Sequence, residues 1–189
     1  VNQDIFETKA RGYNSCLEHA LYSNKVPVEV YKNLIDTVHK NFDTLHRYYK
    51  VFQKALGTKD LRHYDVYMPF TKDISTNTSY EQAVEICREA LAPLGKEYTD
   101  TLCNGLLNGW VDRYENKGKR SGAFSSGCYL GYPYILLNYK SDVIRDVFTM
   151  AHEGGHSMHS WYSTHNNPFM QYNYTIFEAE VASTFNEEL

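Results

Sequence analysis

The run His152-Glu153-Gly154-Gly155-His156 contains the residue types that could bind a metal ion and carry out chemistry with it. Its two histidines are four positions apart, so on a helix both imidazoles lie on one face and can reach the same tetrahedral zinc ion. Glu153 lies about 100° round the helix from His152, beside the coordination position where water binds. The spacing therefore predicts zinc ligands at His152 and His156 and a general base at Glu153.

This combination of groups is suited to hydrolysis. Zinc lowers the pKa of a bound water towards about 7 and polarises a carbonyl group, while a neighbouring carboxylate takes the proton and passes it to the leaving amine. The alternative is a chance match, which the motif alone does not exclude. Two adjacent glycines inside a helix argue against chance, because each costs about 1 kcal/mol relative to alanine. Gly154 and Gly155 therefore indicate that another backbone or a substrate approaches the helix closely.

A catalytic zinc site needs a third protein ligand. The extended pattern with a third histidine six residues after His156 is excluded, because that position is Tyr162. His159 could face the same side of the helix, but three ligands from one helix would strain a tetrahedral site. We therefore expect His159 to hydrogen-bond the ligands or to pack in the core.

A better source of the third ligand is the predicted helix of residues 177–187, which contains several glutamates. Glu180 and Glu187 lie seven positions apart on one face, and the small Ala and Ser side chains beside them let helices come close. Ordinary helices often carry glutamates on a solvated face. Spacing alone therefore leaves Glu178, Glu180 and Glu187 open as ligands.

The helix that carries the motif is predicted to start at a cap formed by Ser141 and Asp142 and to run to about Trp161. A last helix is predicted to begin near Tyr172 or Tyr174. The apolar face of the motif helix contains Ile144, Val147, Phe148 and Ala151. This face is typical of a helix, and the helix is predicted to continue through the histidines.

The rest of the chain is predicted to be helical up to residue 115. Apolar positions over residues 27–56 indicate one long amphipathic helix that ends at Gly57, and Ser79 with Gln82 forms a capping box for another. In residues 116–140, four glycines and Pro133 interrupt the helical pattern, and residues 134–139 predict a strand.

We therefore predict a mainly α fold, with a helical zinc-site domain and a small β hairpin or edge-strand insert. Residues 1–189 are expected to form part of a single domain of a longer chain. Within it we expect a helical region at 1–115, the β insert at 116–140 and the zinc-site helices at 141–189.

Composition and charge exclude several partners. The formal net charge is −4 and the 19 lysines and arginines are scattered, so no basic stripe could neutralise a nucleic acid backbone. No apolar run approaches the roughly 20 residues needed to cross a bilayer, so no membrane partner is expected. The four cysteines are far apart and lack a C-x-x-C pair, which indicates reduced thiols and a cytoplasmic location.

The segment His-Glu-Gly-Gly-His-Ser-Met-His at 152–159, with Glu-Val-Ala-Ser-Thr-Phe-Asn-Glu at 180–187, resembles the thimet oligopeptidase family of zinc peptidases. It is most similar to the bacterial oligoendopeptidase F branch. Residues 119–124 and 132–138 resemble that branch too, so the similarity covers at least residues 119–189. By motif position the resemblance implies Glu180 as the third zinc ligand and Glu187 as an acid that hydrogen-bonds a ligand. Glu178 is the alternative to Glu180 as the third ligand.

The resemblance also implies an almost entirely helical fold and an activity. A family member would be a zinc metalloendopeptidase with one Zn²⁺ per chain that hydrolyses oligopeptides through a metal-activated water, with Glu153 as the base. The strand at 134–138 would then be an edge strand that pairs with a bound peptide, with Tyr134 and Leu136 as substrate-binding residues. A small structural hairpin is the alternative.

The family also uses a His and several Tyr residues from a Gly-rich segment well downstream of the zinc helices, which these 189 residues do not include. The alternative function is therefore a catalytically incomplete helical fragment in which the zinc site is only structural.

Overall fold

The computed structural model of the chain describes residues 1–69 and 77–189. The chain divides into two compact units, Val1–Ile74 and Ser75–Leu189. The described residues form eight α-helices and one small three-stranded sheet, which confirms the prediction of a mainly α fold with a β insert. In these two described stretches, no helix combines the length and the apolar character needed to span a membrane.

The first unit contains four helices, and two of them occupy residues 27–56. The prediction of one continuous helix there is wrong, because the helix is interrupted at Asn41. The side chain of Asn41 donates a hydrogen bond to the Thr37 carbonyl at 2.7 Å and so competes with the backbone for that acceptor. Gly57 ends the second helix in a left-handed conformation, with φ 66°. The four helices are α1 Asn2–Ala10, α2 Cys16–Tyr22, α3 Val28–Lys40 and α4 Phe42–Leu56.

The second unit contains the hydrophobic core and the motif helix. Its helices are α5 Tyr80–Ala90, α6 Lys96–Leu107, α7 Ile144–Asn166 and α8 Ile176–Glu188, and its strands are β1 Val111–Asp112, β2 Phe124–Ser126 and β3 Tyr134–Leu136. The predicted capping box of α5 is present, with Ser79 and Gln82 bonded reciprocally. Side chains from α5, α6, α7 and β3 form the core, among them Val84, Leu102, Leu106, Ile135, Met150 and Met158.

The sheet has the order β1-β3-β2, with β3 parallel to β1 and antiparallel to β2. The prediction that the strand beginning at Tyr134 lies at an edge is therefore wrong, because β3 is the central strand. The free edges belong to β1 and β2. β1 begins at Val111, ahead of residue 116 where the insert was expected to start. Two residues of extended backbone give no alternating pattern that could have been detected in the sequence.

The ends of the two site helices differ from the prediction. α7 begins at Ile144 without a side-chain cap, whereas Ser141 and Asp142 were expected to cap it. The Asp146 carboxylate accepts a hydrogen bond from the Lys140 amide instead, at 2.8 Å. α7 also continues past the predicted end at Trp161 to Asn166, and α8 begins after Thr175, which forms a capping box with Glu178.

The glycines of the motif allow α7 to pack closely against its neighbours. A Cβ atom added to Gly155 would lie 2.6 Å from the Ala182 carbonyl oxygen and 2.7 Å from the Ser183 Cα, both in the backbone of α8. A Cβ atom added to Gly154 would meet only the side chain of Leu102 on α6, at 3.2 Å. The close backbone approach predicted from the two glycines is therefore found at Gly155.

Replacing Gly155 by alanine is expected to lower the free energy of unfolding by about 1–3 kcal/mol, because the new methyl group would collide with the α8 backbone. Gly154→Ala is the matched control, since Leu102 can move and alanine adds about 1 kcal/mol of helix propensity. Urea unfolding of both variants measures the difference. Equal stability of the two variants would contradict this packing.

Candidate metal centre

The structure brings together three of the side chains that the sequence singled out. The Nε2 atoms of His152 and His156 lie 3.1 Å apart. The Oε2 atom of Glu180, on α8, lies 3.5 Å from the first and 3.6 Å from the second. All three possible ligand atoms lie within 4.8 Å of one another. Among the residues that the structure describes, this is the one group of three or more His, Cys, Asp or Glu that could hold a metal ion.

These separations fit a tetrahedral zinc ion. Bonds of roughly 2.0–2.1 Å at tetrahedral angles place neighbouring ligand atoms about 3.3 Å apart. Two imidazole nitrogens and one carboxylate oxygen are also a donor set that zinc uses in catalytic sites. The residues present therefore fit the metal that the sequence predicts. Their roles as ligands stay a prediction.

The protonation of His156 favours metal binding. Burial lowers the pKa of His156 from its ordinary value, although the nearby Glu180 carboxylate acts in the opposite direction. A neutral imidazole keeps a lone pair available, whereas an imidazolium cannot bind a cation. The site thus presents a ligand that does not have to lose a proton near neutral pH.

Glu187 contacts the other histidine from the side away from the cluster. Its Oε1 atom bonds to Nδ1 of His152, so Nε2 of the same ring is the nitrogen that faces His156 and Glu180. A carboxylate on the second ring nitrogen fixes the orientation of a metal-binding histidine. Glu187 therefore contacts the nitrogen of His152 that faces away from the cluster, and its role towards a metal ligand stays a prediction.

The predicted base is buried beside the cluster. Glu153 is 7% exposed, and its Oε2 atom has no hydrogen-bond partner in the described residues. Burial raises the pKa of Glu153 and the Glu180 carboxylate adds to this effect, while His152 and a hydrogen bond from the Ser125 amide lower it. A buried carboxylate oxygen without a partner is costly, which is typical of a group kept for a reaction rather than for stability.

Two other residues that the sequence proposed for the site, His159 and Glu178, make other contacts. His159 stacks on Tyr174 with ring centroids 3.7 Å apart, and in the described residues its ring makes no hydrogen bond to His152, His156 or Glu180. Burial lowers the pKa of His159. Glu178 bonds to Thr175 in the capping box of α8, which turns its carboxylate away from a ligand role.

A cleft of about 830 Å³ opens beside Glu153. This volume lies in the range of small-ligand sites. Tyr134 and Leu136, which the sequence proposed as substrate-binding residues, do not line it. Their strand is central in the sheet, and the cleft is lined by residues before β2 and after β3 instead. The lining includes Gly122, Ala123, Leu137, Phe148, His152, Glu153 and Glu187.

The sequence did not predict that β2 contributes to this site. Ser125 donates its amide to Glu153, and its hydroxyl lies 2.8 Å from that of Ser157 on α7. Ser157 is fully buried and donates in turn to the Pro133 carbonyl at 3.2 Å. These bonds hold β2 against α7 next to Glu153. The glycine-rich run before β2 was visible in the sequence, but it was assigned no function.

Polar side chains also hold the loop that leads into β2. The Lys119 ammonium donates to the backbone carbonyls of Asp112 and Tyr114 at 3.1 and 2.7 Å. The Asn138 amide donates to the carbonyls of Arg120 and Gly122, both at 2.9 Å. The loop is therefore fixed from β1 on one side and from the residues after β3 on the other.

Comparison with known proteins gives consistent matches. The model for peptidase family M3 matches residues 2–189. The oligoendopeptidase F homolog of Borreliella burgdorferi is 54% identical over 185 residues, which are 97% of this chain and 31% of that protein. Oligopeptidase PepF of Bacillus subtilis is 47% identical over 189 residues, which are 100% of this chain and 28% of that protein.

A solved structure agrees with these matches. The crystal structure of a protein from Chlamydophila abortus matches this chain with a TM-score of 0.79 and 49% sequence identity. The match covers 98% of this chain and 31% of that protein. The chain thus spans less than a third of the length of these relatives. The resemblance that the sequence motifs predicted is confirmed.

The buried carboxylate of Glu153 is expected to lower stability near neutral pH. Folding raises the pKa of Glu153, so the charged form is disfavoured in the folded state at every pH above the ordinary value. In the metal-free chain, Glu153→Gln is therefore expected to raise the free energy of unfolding at pH 7 by up to about 1 kcal/mol. The gain should vanish below about pH 4.

Urea unfolding with a chelator at pH 7 and pH 4 measures this effect. Glu178→Gln is the control of opposite sign, because hydrogen bonds from Thr175 lower the pKa of Glu178 and its charge stabilises the fold at neutral pH. A loss of stability in Glu153→Gln at pH 7 would mean that the Glu153 charge is well solvated.

Proposed function

Because the chain belongs to peptidase family M3, we propose that it carries the zinc site and the general base of an endopeptidase that hydrolyses short peptides. The observation that supports this most strongly is the approach of His152, His156 and Glu180 within 4.8 Å beside a buried carboxylate. One Zn²⁺ per chain would be held by these three residues.

Bound zinc would supply a Lewis acid that polarises the scissile carbonyl and makes water easier to deprotonate. The proton transfers belong to Glu153, whose Oε2 has no protein partner in the described residues and can accept a proton from the attacking water. Its raised pKa makes the carboxylate a stronger base than an exposed glutamate. Glu153 then returns the proton to the nitrogen of the departing amine.

The outer edge of β2 is the surface that would bind the peptide backbone. In the described residues β2 pairs with β3 alone, so its other edge is open. The Ser125 amide on that edge bonds to Glu153, so the edge lies beside the carboxylate proposed as the base. An extended peptide adds to such an edge by main-chain hydrogen bonds that require no particular side chains. This arrangement takes the place of the pairing with β3 that the sequence suggested.

The alternative is a helical fragment in which zinc only stabilises the fold. A structural zinc site is usually closed by four ligands and does not require a base. Glu153 is buried and its pKa is raised, yet it is not one of the three clustered ligand groups, which favours the catalytic proposal. A cytoplasmic location stays a prediction, supported by the four cysteines, which are all free.

The metal site is tested by metal content and cleavage in the same samples. The unchanged chain is expected to hold about one zinc ion, and Glu180→Ala to lose most of it on dialysis against a weak chelator. Glu153→Gln should keep the zinc and reduce cleavage of a quenched fluorescent peptide by about 100-fold or more, because it removes only the base. Mass spectrometry measures zinc, and fluorescence measures cleavage.

Glu178→Ala is the matched control, since Glu178 lies on the same helix outside the cluster. It should keep the zinc of the unchanged chain. Full zinc content in Glu180→Ala would remove Glu180 from the ligand set. Bound zinc with no cleavage by the unchanged chain would instead favour the structural alternative.

Backbone pairing with β2 is tested with modified peptides. Methylation of a backbone amide removes one donor, so a peptide N-methylated at a position facing β2 is expected to bind about tenfold more weakly. Because neighbouring amides of an extended chain point in opposite directions, methylation one residue along should have little effect. Competition against the fluorescent substrate measures both. Equal affinity of the two peptides would exclude strand-like binding.

A further inference from the structure

A buried serine contacts the carboxylate of the cluster. Ser183 lies on α8, one turn after Glu180, and its side chain is fully buried. Its hydroxyl donates to Oε2 of Glu180 at 2.9 Å and is also 3.2 Å from the Glu180 carbonyl oxygen. That Oε2 is the same atom that lies 3.5 and 3.6 Å from the two histidine nitrogens.

Glu180 has little else to hold it in place. Its side chain is 48% exposed, and Ser183 is the one residue in the described stretches whose hydroxyl or amide donates to its carboxylate. A glutamate side chain with three free torsions loses considerable entropy when it is ordered. A carboxylate oxygen has two lone pairs, so Oε2 can accept from Ser183 and still face a cation.

We propose that Ser183 is a positioning residue that holds Oε2 of Glu180 towards His152 and His156 and so strengthens zinc binding. The inference rests on the proposed zinc site and deepens it. Ser183 itself touches neither zinc nor substrate. It acts by keeping the Glu180 side chain in one conformation before the metal arrives.

The competing explanation is that Ser183 is only a small residue at a close helix contact. Its Cα is the atom that a Cβ on Gly155 would approach to 2.7 Å. Alanine would pack at this helix contact equally well, because it has the same Cα and Cβ as serine and lacks only the hydroxyl. The two explanations therefore differ in what Ser183→Ala does to zinc affinity.

The neighbouring Thr184 provides a matched control. Its hydroxyl bonds to the carbonyl oxygen of Glu180 at 2.5 Å but does not contact the carboxylate. Thr184→Ala thus removes a hydroxyl from the same turn of α8 and leaves the proposed contact intact. Both substitutions replace a helical hydroxyl residue with alanine, so their effects on helix propensity have the same sign.

The experiment measures the zinc dissociation constant of the metal-free 189-residue chain by competition with a chromophoric chelator. Ser183→Ala is expected to bind zinc 10- to 100-fold more weakly, the range found when a partner of a metal ligand is removed. Thr184→Ala should stay within twofold of the unchanged chain. Urea unfolding of the metal-free variants checks that both are folded.

A double-mutant comparison separates positioning from packing. In a Glu180→Ala background, loss of the Ser183 hydroxyl should change zinc affinity less than twofold, because the group it positions is gone. A reduction of equal size in both backgrounds would overturn the proposal and indicate a packing role. If Ser183→Ala does not fold, Ser183→Gly removes the same hydroxyl and is held to the same 10- to 100-fold criterion.

The outcomes distinguish this inference from the proposed function. Weaker binding in Glu180→Ala with unchanged binding in Ser183→Ala overturns the inference and leaves the zinc site standing. Full affinity in Glu180→Ala, or no zinc binding by the unchanged chain, overturns the ligand assignment and with it the role of Ser183.

Discussion

At Gly155 the motif helix α7 has no side chain, and the backbone of α8 lies against it. A Cβ at this position would come within 2.6 Å of the Ala182 carbonyl oxygen, so the two helices could not remain this close with any other residue. This contact brings Glu180 from a separate helix to the histidines of α7. It is reinforced by Asn186, which donates to the Ala151 carbonyl at 3.0 Å and accepts from Tyr98 at 2.9 Å. The candidate metal centre depends on this packing.

The same packing concentrates negative charge next to a buried carboxylate. Glu180 and Glu187 both lie near His152, and Glu180 raises the pKa of Glu153 beyond the effect of burial. Without a cation this arrangement is unfavourable, because like charges repel strongly in a medium of low dielectric constant. A divalent cation between the ligands would relieve it. The charges therefore support the same proposal as the distances do.

The small sheet serves the site through its position and not through its size. β2 is held to α7 by the bonds from Ser125 through Ser157 to the Pro133 carbonyl, and the loop before it is fixed by Lys119 and Asn138. A three-residue strand has few hydrogen bonds of its own. Side-chain donors from the neighbouring segments supply the missing order, which keeps an open strand edge beside Glu153.

The sequence by itself determined the features that depend on local spacing. The i and i+4 separation of His152 and His156 requires a helix for both to face one ion, and that helix is present as α7. The two glycines predicted a close approach, and the capping box of α5 and the mainly α fold followed from residue types alone. The downstream motif pointed to Glu180, although spacing by itself did not separate it from Glu178 and Glu187.

Tertiary structure decided what depends on residues distant in the chain. It placed β3 in the centre of the sheet, because its neighbour β1 is too short to recognise and strand order leaves no periodic signal. It turned His159 towards Tyr174 and brought Glu180 of α8 to His152 and His156 of α7. Periodicity states which face of an element a residue occupies, but the partner on that face is set by how separate elements pack.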